Sequence, residues 1–328
     1  MKKGLFILLI FCFSLTFISC TEKDEHTTTT DTPTSISGTL LFTDNLTGTE
    51  LGSIVYDSTN DFLFHNRSRE SSTNDCNIRR YKFSDGSLST VFKEEYCQFN
   101  YGLRLFSNEL WVIGTYDKRL LRLNGLDNDT LNNLGYFPSG NWGNPYGGSE
   151  NLTEVGDLTL TNGNIYLVTH NTLTSSQHNG IKILYGSGFT SFGELISSSV
   201  AGWTTGSGGF YRSIISVSSG IISKFVVATG STDQRIQLWN LSGTKLNELS
   251  GYGNITHLVK DSQDRVYFFD GSKIYRFSAD LNTKEEYSIS GDFTGNRIAV
   301  RETGSNVQVI TTSFRSRSPS FYYVNLPL

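Results

Sequence analysis

The sequence predicts an all-β chain folded as a six-bladed β-propeller, its last blade closed by a strand from the N-terminus. Three observations predict it. No helix-length window keeps a helical apolar period, whereas short β-branched and aromatic runs alternate with Gly, Asn, Asp and Ser. A two-strand unit recurs six times along the chain. The last unit ends one strand short, while one strand candidate near the start, 38–43, lacks a partner beside it.

The unit is clearest at 265–282, where an apolar strand meets a turn at Asp270-Gly271 and returns as a second strand. Earlier copies read 61–66 with 77–87, 109–125, 164–170 with 180–188, and 224–243, and the last reads 306–312 with 320–326. Upstream of each copy lies a further strand candidate, at 52–56, 102–106, 155–160, 213–217, 255–259 and 297–300. Downstream candidates lie at 87–92, 131–137, 190–196, 245–250 and 284–289. The central strands begin 41–60 residues apart. Four short antiparallel strands at that period describe propeller blades, which stack because one small sheet cannot bury both of its faces. Placing 38–43 on the outer edge of the last blade pairs both orphan edges. A pair of sandwiches or a seven-bladed ring is the competing arrangement. The stretch VYFFDGSKIYRF (266–277) resembles the repeats of NHL and other six-bladed families, a resemblance that implies fold rather than function.

Met1, Lys2 and Lys3 precede the apolar run LFILLIFCFSLTFIS (5–19), which has secretory-leader length and is short for a membrane-spanning helix. Ile18 and Ser19 then lead into Cys20. This pattern resembles the bacterial lipoprotein signal, with Phe17 standing where that pattern usually has Leu. The resemblance implies cleavage before Cys20, lipidation of its thiol, and a place in the bacterial cell envelope, at the outer membrane or cell surface. A plain signal peptide or an uncleaved anchor is the other account of the run. Residues 20–36 are polar and Thr-rich and read as a flexible tether. Within it, Glu22, Asp24 and Glu25 resemble the acidic export signal of surface lipoproteins in Bacteroidetes-like bacteria. Residues 37–328 then form the propeller domain.

Without residues 1–19 the chain carries 25 basic and 31 acidic residues and has no basic stripe, which argues against a nucleic-acid partner. Cys12 lies in the leader. The pair left after Cys20, Cys76 and Cys97, reads as a disulfide in an exported domain, two buried thiols being the alternative. No CxxC or His/Cys cluster occurs, and no cofactor is expected.

In a propeller, turns from first to second and from third to fourth strands share one end of the ring. Second-to-third turns and blade-to-blade connections share the other. Every enlarged connection falls in the second class: 67–76, 138–151, 169–180, 197–212 and 312–320. Connections of that length commonly bind something. Trp142, Tyr146, Trp203, Phe210 and Tyr211 lie in two of them, offering flat apolar rings among Gly, Asn and Ser, which suits a sugar face or an extended peptide. Arg67, Arg69, Arg315 and Arg317 add anion recognition. Rings that merely plug the channel mouth are the plainer reading of the same residues. Trp111 and Trp239 lie in strands and are expected in the core.

Catalysis would need an acid–base pair or an activated nucleophile. Glu70, Asp75, Glu94, Glu95, Glu150 and Glu154 lie toward the loop-rich end without a distinctive spacing, and His170 and His178 bracket one loop. His65 and His257 are expected to pack, and Asp57, Asp61, Asp261 and Asp264 to form turns at the opposite end. No GxSxG, HExxH or phosphate-loop motif occurs. The expected function is therefore an envelope propeller that binds a glycan, a peptide or another envelope protein. The alternatives are a polysaccharide hydrolase or lyase, and an assembly scaffold.

Overall fold

The computed structural model describes residues 35–44, 53–67, 76–94, 102–113, 120–127, 132–137, 154–170, 180–185, 191–196, 210–226, 234–291, 293, 297–313 and 320–328. The strands begin with β1 (Ile36–Ser37) and β2 (Thr39–Thr43). The first blade is β3 (Ile54–Asp57), β4 (Phe62–Arg67), β5 (Cys76–Lys82) and β6 (Leu88–Glu94), and the second is β7 (Gly102–Phe106), β8 (Glu109–Ile113), β9 (Leu120–Asn124) and β10 (Asn132–Phe137). The third is β11 (Glu154–Thr161), β12 (Asn164–His170), β13 (Gly180–Tyr185) and β14 (Ser191–Ile196). The fourth is β15 (Phe210–Val217), β16 (Gly220–Val226), β17 (Gln234–Trp239) and β18 (Lys245–Tyr252). The fifth is β19 (Val259–Lys260), β20 (Val266–Phe269), β21 (Lys273–Phe277) and β22 (Lys284–Ser290). The sixth is β23 (Ile298–Thr303), β24 (Asn306–Ser313) and β25 (Ser320–Pro327), with β2 as its fourth strand. The fold is the expected six-bladed propeller, its last blade completed from the N-terminus.

The pattern of burial explains why these segments are strands. A second or third strand is covered by neighbouring blades on both faces, so β20 (VYFF) is buried at every position and reads as a continuous apolar run. An outer strand such as β18 is only partly covered and mixes exposed with half-buried residues. The core consists of the seams between blades. Phe64 and Ile78 of the first blade meet Leu103, Leu110 and Val112 of the second. In the fourth-to-fifth seam, Phe268 stacks on Tyr275 with centroids 4.8 Å apart and Tyr252 meets Phe268 edge-on at 5.2 Å. The fully buried Phe268 ring contributes about 1.5–3 kcal/mol of transfer free energy. Trp111 and Trp239 are buried as expected.

The closing segment joins three blades. Ile36–Ser37 pairs in parallel with Ile289–Ser290 of the fifth blade, a contact the sequence pattern did not single out. Thr39–Thr43 pairs antiparallel with β25 of the sixth. Phe42 stacks on Phe321 at 4.5 Å and lies 4.9 Å from the Tyr81 ring of the first blade. Asp44 then accepts the Tyr81 hydroxyl at 2.6 Å and lies 3.7 Å from Arg79. Gly86 makes this possible, since a Cβ there would fall 2.5 Å from Phe42. The segment expected as a strand at 255–259 forms only Val259–Lys260. There the Thr256 hydroxyl replaces a ladder carbonyl, accepting the Phe269 N–H at 2.9 Å.

Candidate functional site

The strand bounds divide the connections between two ends of the ring. First-to-second turns are short in every blade, at 58–61, 107–108, 162–163, 218–219, 261–265 and 304–305. Their residues close them locally. Asp57 accepts Thr59 N–H at 2.9 Å and Asn60 Nδ2 at 2.8 Å, and Asp61 takes a left-handed φ of 57°. Asp261 accepts Gln263 N–H at 3.0 Å, Arg265 N–H at 2.9 Å, Arg265 Nε at 2.6 Å and the Tyr267 hydroxyl at 2.8 Å. Asp264 accepts Lys260 Nζ at 2.6 Å and Ser218 N–H at 2.7 Å. These are the turn roles expected of the four aspartates.

The long connections leave the opposite ends of the strands, at 68–75, 171–179 and 314–319 within blades and at 138–153 and 197–209 between blades. Trp142, Tyr146, Trp203, Arg69, Arg315 and Arg317 lie outside the described residues, as do Glu70, Asp75, Glu95, Glu150, His178 and Cys97. Arg67 ends β4 opposite Asn77, and Tyr211 lies near the start of β15 opposite Phe225, so the backbone brings both to this end. Cys76 opens β5 at the same end, opposite Glu94, and Glu154 pairs with His170 at the equivalent end of the third blade. His65 is buried and meets Phe321 edge-on at 5.4 Å.

Between these ends the channel is crossed by one guanidinium. Arg104, from the inner strand of the second blade, donates from Nε to Asp157 Oδ1 at 2.8 Å and from Nη2 to Asp157 Oδ2, on the third. Its Nη2 also reaches the Ile214 carbonyl of the fourth blade at 3.4 Å, and Nη1 reaches the Leu258 carbonyl of the fifth at 3.1 Å. Asp157 in turn accepts Ser213 Oγ at 2.8 Å, Ile214 N–H at 3.0 Å and Leu158 N–H at 2.9 Å. Ser213 Oγ accepts Leu258 N–H at 3.0 Å. The Asp157 side chain is fully buried and that of Arg104 is 12% exposed. A buried ion pair with this many hydrogen bonds recovers its desolvation cost, and it ties four blades together. Neither residue was singled out in the sequence. The available signal was a charge inside an otherwise apolar inner strand, in GLRLF and VGDLTL.

A cavity of about 620 Å³ lies along the axis, lined by all six inner strands, from Arg104 to the turn residues Ser58 and Ser262 and the strand ends at Phe106 and Glu302. Its walls are largely aliphatic, with Ile54, Leu105, Leu160, Ile215, Val259 and Val300 among them. The polar groups at its rim are engaged by neighbours. Glu302 accepts Ser262 N–H at 2.5 Å and Ser262 Oγ at 2.7 Å. The Tyr56 hydroxyl donates to Asp61 at 2.6 Å and accepts Arg301 Nε at 2.9 Å. Burial, followed by the hydrogen bond to Asp61, pushes this phenol up to about 12. Such a cavity suits a small ligand with an apolar body. Among the described residues no group of three His, Cys, Asp or Glu is placed to hold a metal ion, and no helix is long and apolar enough to cross a membrane.

No protein-family model matches the chain, and no curated protein matches its sequence. Solved structures match over most of its length. Regucalcin from Agrobacterium tumefaciens, described as a calcium-binding protein, is 10% identical, with 88% of this chain and 96% of that chain covered and a TM-score of 0.53. A putative gluconolactonase is 12% identical, with 90% and 94% covered and a TM-score of 0.55. A gluconolactonase from Xanthomonas campestris is 10% identical, with 87% and 88% covered and a TM-score of 0.56. At these identities the likeness is one of fold, and the fold it shares with these proteins is the six-bladed propeller.

Proposed function

We propose that the chain is a cell-envelope lipoprotein whose propeller engages a glycan, a peptide or another envelope protein at the end bearing the long connections. The observation that carries this reading is the asymmetry of the ring. All first-to-second turns are short, and those at 58–61 and 261–265 are closed by Asp57 and Asp261, while the enlarged connections leave the other end. The recognition surface comprises Trp142, Tyr146, Trp203 and Tyr211, with Arg67 and Arg315 for anionic groups. A glycan and peptide binding screen of residues 21–328 tests it, repeated with Trp142→Ala and Trp203→Ala. Each substitution is expected to weaken binding about tenfold or more, as loss of a ring platform does. Unchanged affinity in both variants sinks the aromatic surface.

A second reading is a polysaccharide hydrolase or lyase, and two of the structures that share the fold are described as gluconolactonases. The reaction would need two carboxylates about 5–10 Å apart across a cleft, with Glu70, Asp75, Glu94, Glu95, Glu150 and Glu154 as the candidates at the loop-bearing end. Incubating every ligand found in the screen and assaying for cleavage separates the readings. Turnover lost on Glu→Gln substitution favours the enzyme, and stable binding without product favours the receptor.

A further inference from the structure

The axial cavity reaches the exposed Ser58 and Ser262 of the short turns, at the end of the ring away from the long connections. Its volume of about 620 Å³ falls within the roughly 300–1,000 Å³ typical of small-molecule sites. Val55, Leu105, Leu160 and Val300 line it and stay only half-buried, so the blade seams leave part of each side chain to the cavity.

The polar groups of this cavity are almost all engaged. The Thr159 hydroxyl donates to Ser216 Oγ at 3.2 Å, and Ser216 Oγ donates to the Leu160 carbonyl at 3.4 Å. The Tyr56 and Ser262 hydroxyls donate to carboxylates. Lys260 is paired with Asp264, and Asp261 with Arg265, each at 2.6 Å. The exception is Arg104 at the inner end. A guanidinium has five N–H groups. Here Nε donates to Asp157 Oδ1, and Nη2 serves Asp157 Oδ2 and the Ile214 carbonyl. Nη1 has two hydrogens and, among the described residues, one acceptor, the Leu258 carbonyl. Its charge is nevertheless balanced by Asp157, which is itself saturated by Leu158 N–H, Ile214 N–H and Ser213 Oγ. The inner end thus offers one hydrogen-bond donor without a net charge.

We propose that the axial cavity binds an uncharged apolar molecule bearing one carbonyl oxygen, a ketone or an ester. Its oxygen accepts the remaining Arg104 Nη1 hydrogen, and its hydrocarbon body lies against Leu105, Leu160 and Val300. The proposal is independent of what the loop-bearing end binds. A carbonyl supplies the one acceptor that Nη1 lacks, and the guanidinium makes that bond charge-assisted. A carboxylate in its place would bury a negative charge beside a cation that Asp157 already balances. An ammonium would be buried against that same cation. A plain hydrocarbon would strip water from the N–H and return no bond.

Ligand-observed NMR titrations on the full chain compare four probes that share one body: 4-butylacetophenone, 4-butylbenzoate, 4-butylbenzylamine and butylbenzene. The ketone is expected to bind roughly tenfold tighter or more than either charged probe, and several-fold tighter than butylbenzene. Leu160→Trp fills the cavity and is expected to weaken ketone binding roughly tenfold or more. Val300→Trp replaces it if thermal melting shows that variant unfolded. Arg104→Met/Asp157→Leu is expected to erase the ketone's advantage over butylbenzene while butylbenzene still binds. A charged probe that binds as tightly as the ketone overturns the proposal, as does ketone binding unchanged by the tryptophan. An advantage over butylbenzene that survives the double variant overturns it too. Failure of the parent to bind the ketone also overturns it, and leaves both readings of the loop-bearing end standing.

Discussion

Arg104 and Asp157 meet in a two-pronged contact between the inner strands of the second and third blades, and the guanidinium continues to the fourth and fifth. Asp157→Asn leaves the Arg104 charge buried without its counterion, and a loss of about 3–5 kcal/mol is expected in urea denaturation. The double variant Arg104→Met/Asp157→Leu is expected to lose clearly less than the two single changes added together, because it removes the charge as well as its partner. Additive losses would show that the pair is not coupled.

Phe42 is the apolar pin of the closing segment, stacked on Phe321 of the sixth blade and close to Tyr81 of the first. Phe42→Ala is expected to cost about 2–4 kcal/mol, toward the lower side of a Phe truncation because the ring is only partly covered. Gly86→Ala attacks the same contact from the other side. It places a Cβ 2.5 Å from Phe42 at a φ of +68°, and a loss above about 1 kcal/mol is expected. Removing residues 1–44 leaves the edge of β25 unpaired, and self-association of that truncation is expected in light scattering. A monomeric truncation that melts like the parent would refute the clasp.

Blade number and ring closure were legible because both follow from one-dimensional patterns. Runs of β-branched and aromatic residues recur between turn residues, and one strand was left over near the start while the last unit lacked one. Asp57 and Asp261 were readable as turn formers because their partners lie within six residues. Arg104 was not readable, because its partners lie 53, 110 and 154 residues away and only the closed ring brings them together. The pairing of Ile36 with Ile289 was hidden for the same reason. A two-residue strand carries no periodicity to detect. For the candidate site, the pattern revealed which strand ends bear the long connections, but not which side chains converge there. His257 against Arg297 is such a convergence.

Buried phenols make the propeller sensitive to alkali. Burial, ahead of the Asp61 hydrogen bond, pushes Tyr56 up to about 12, and burial with Glu286 nearby does the same to Tyr252. Tyr81, Tyr267, Tyr275 and Tyr287 move in the same direction, burial first and a hydrogen-bonded carboxylate second. Each raised phenol keeps its proton in the fold longer than in the unfolded chain. Its contribution is therefore complete below about pH 10 and is lost as pH rises toward 12 and beyond. The melting temperature is expected to hold until about pH 10 and to fall steeply above it, with Tyr56→Phe giving a shallower fall. Phenolate absorbance that rises at the pH of free tyrosine, without unfolding, would contradict this.

Cys20 bears on where the ring works, and the position of the clasp limits how far from a membrane that is. Among the described residues the first paired one is Ile36, which lies 16 positions after Cys20 in the sequence. Fully extended, such a stretch spans at most about 50 Å. A lipidated Cys20 would then hold the ring within that distance of a membrane. Mass spectrometry of the protein purified from membranes is expected to show residue 20 as the N-terminus carrying acyl chains. Cys20→Ala is expected to retain the leader and to change how the protein partitions into detergent. An unmodified residue 20 in the mature protein would detach the propeller from the membrane, and the loop-bearing end would then have to capture its ligand in free solution.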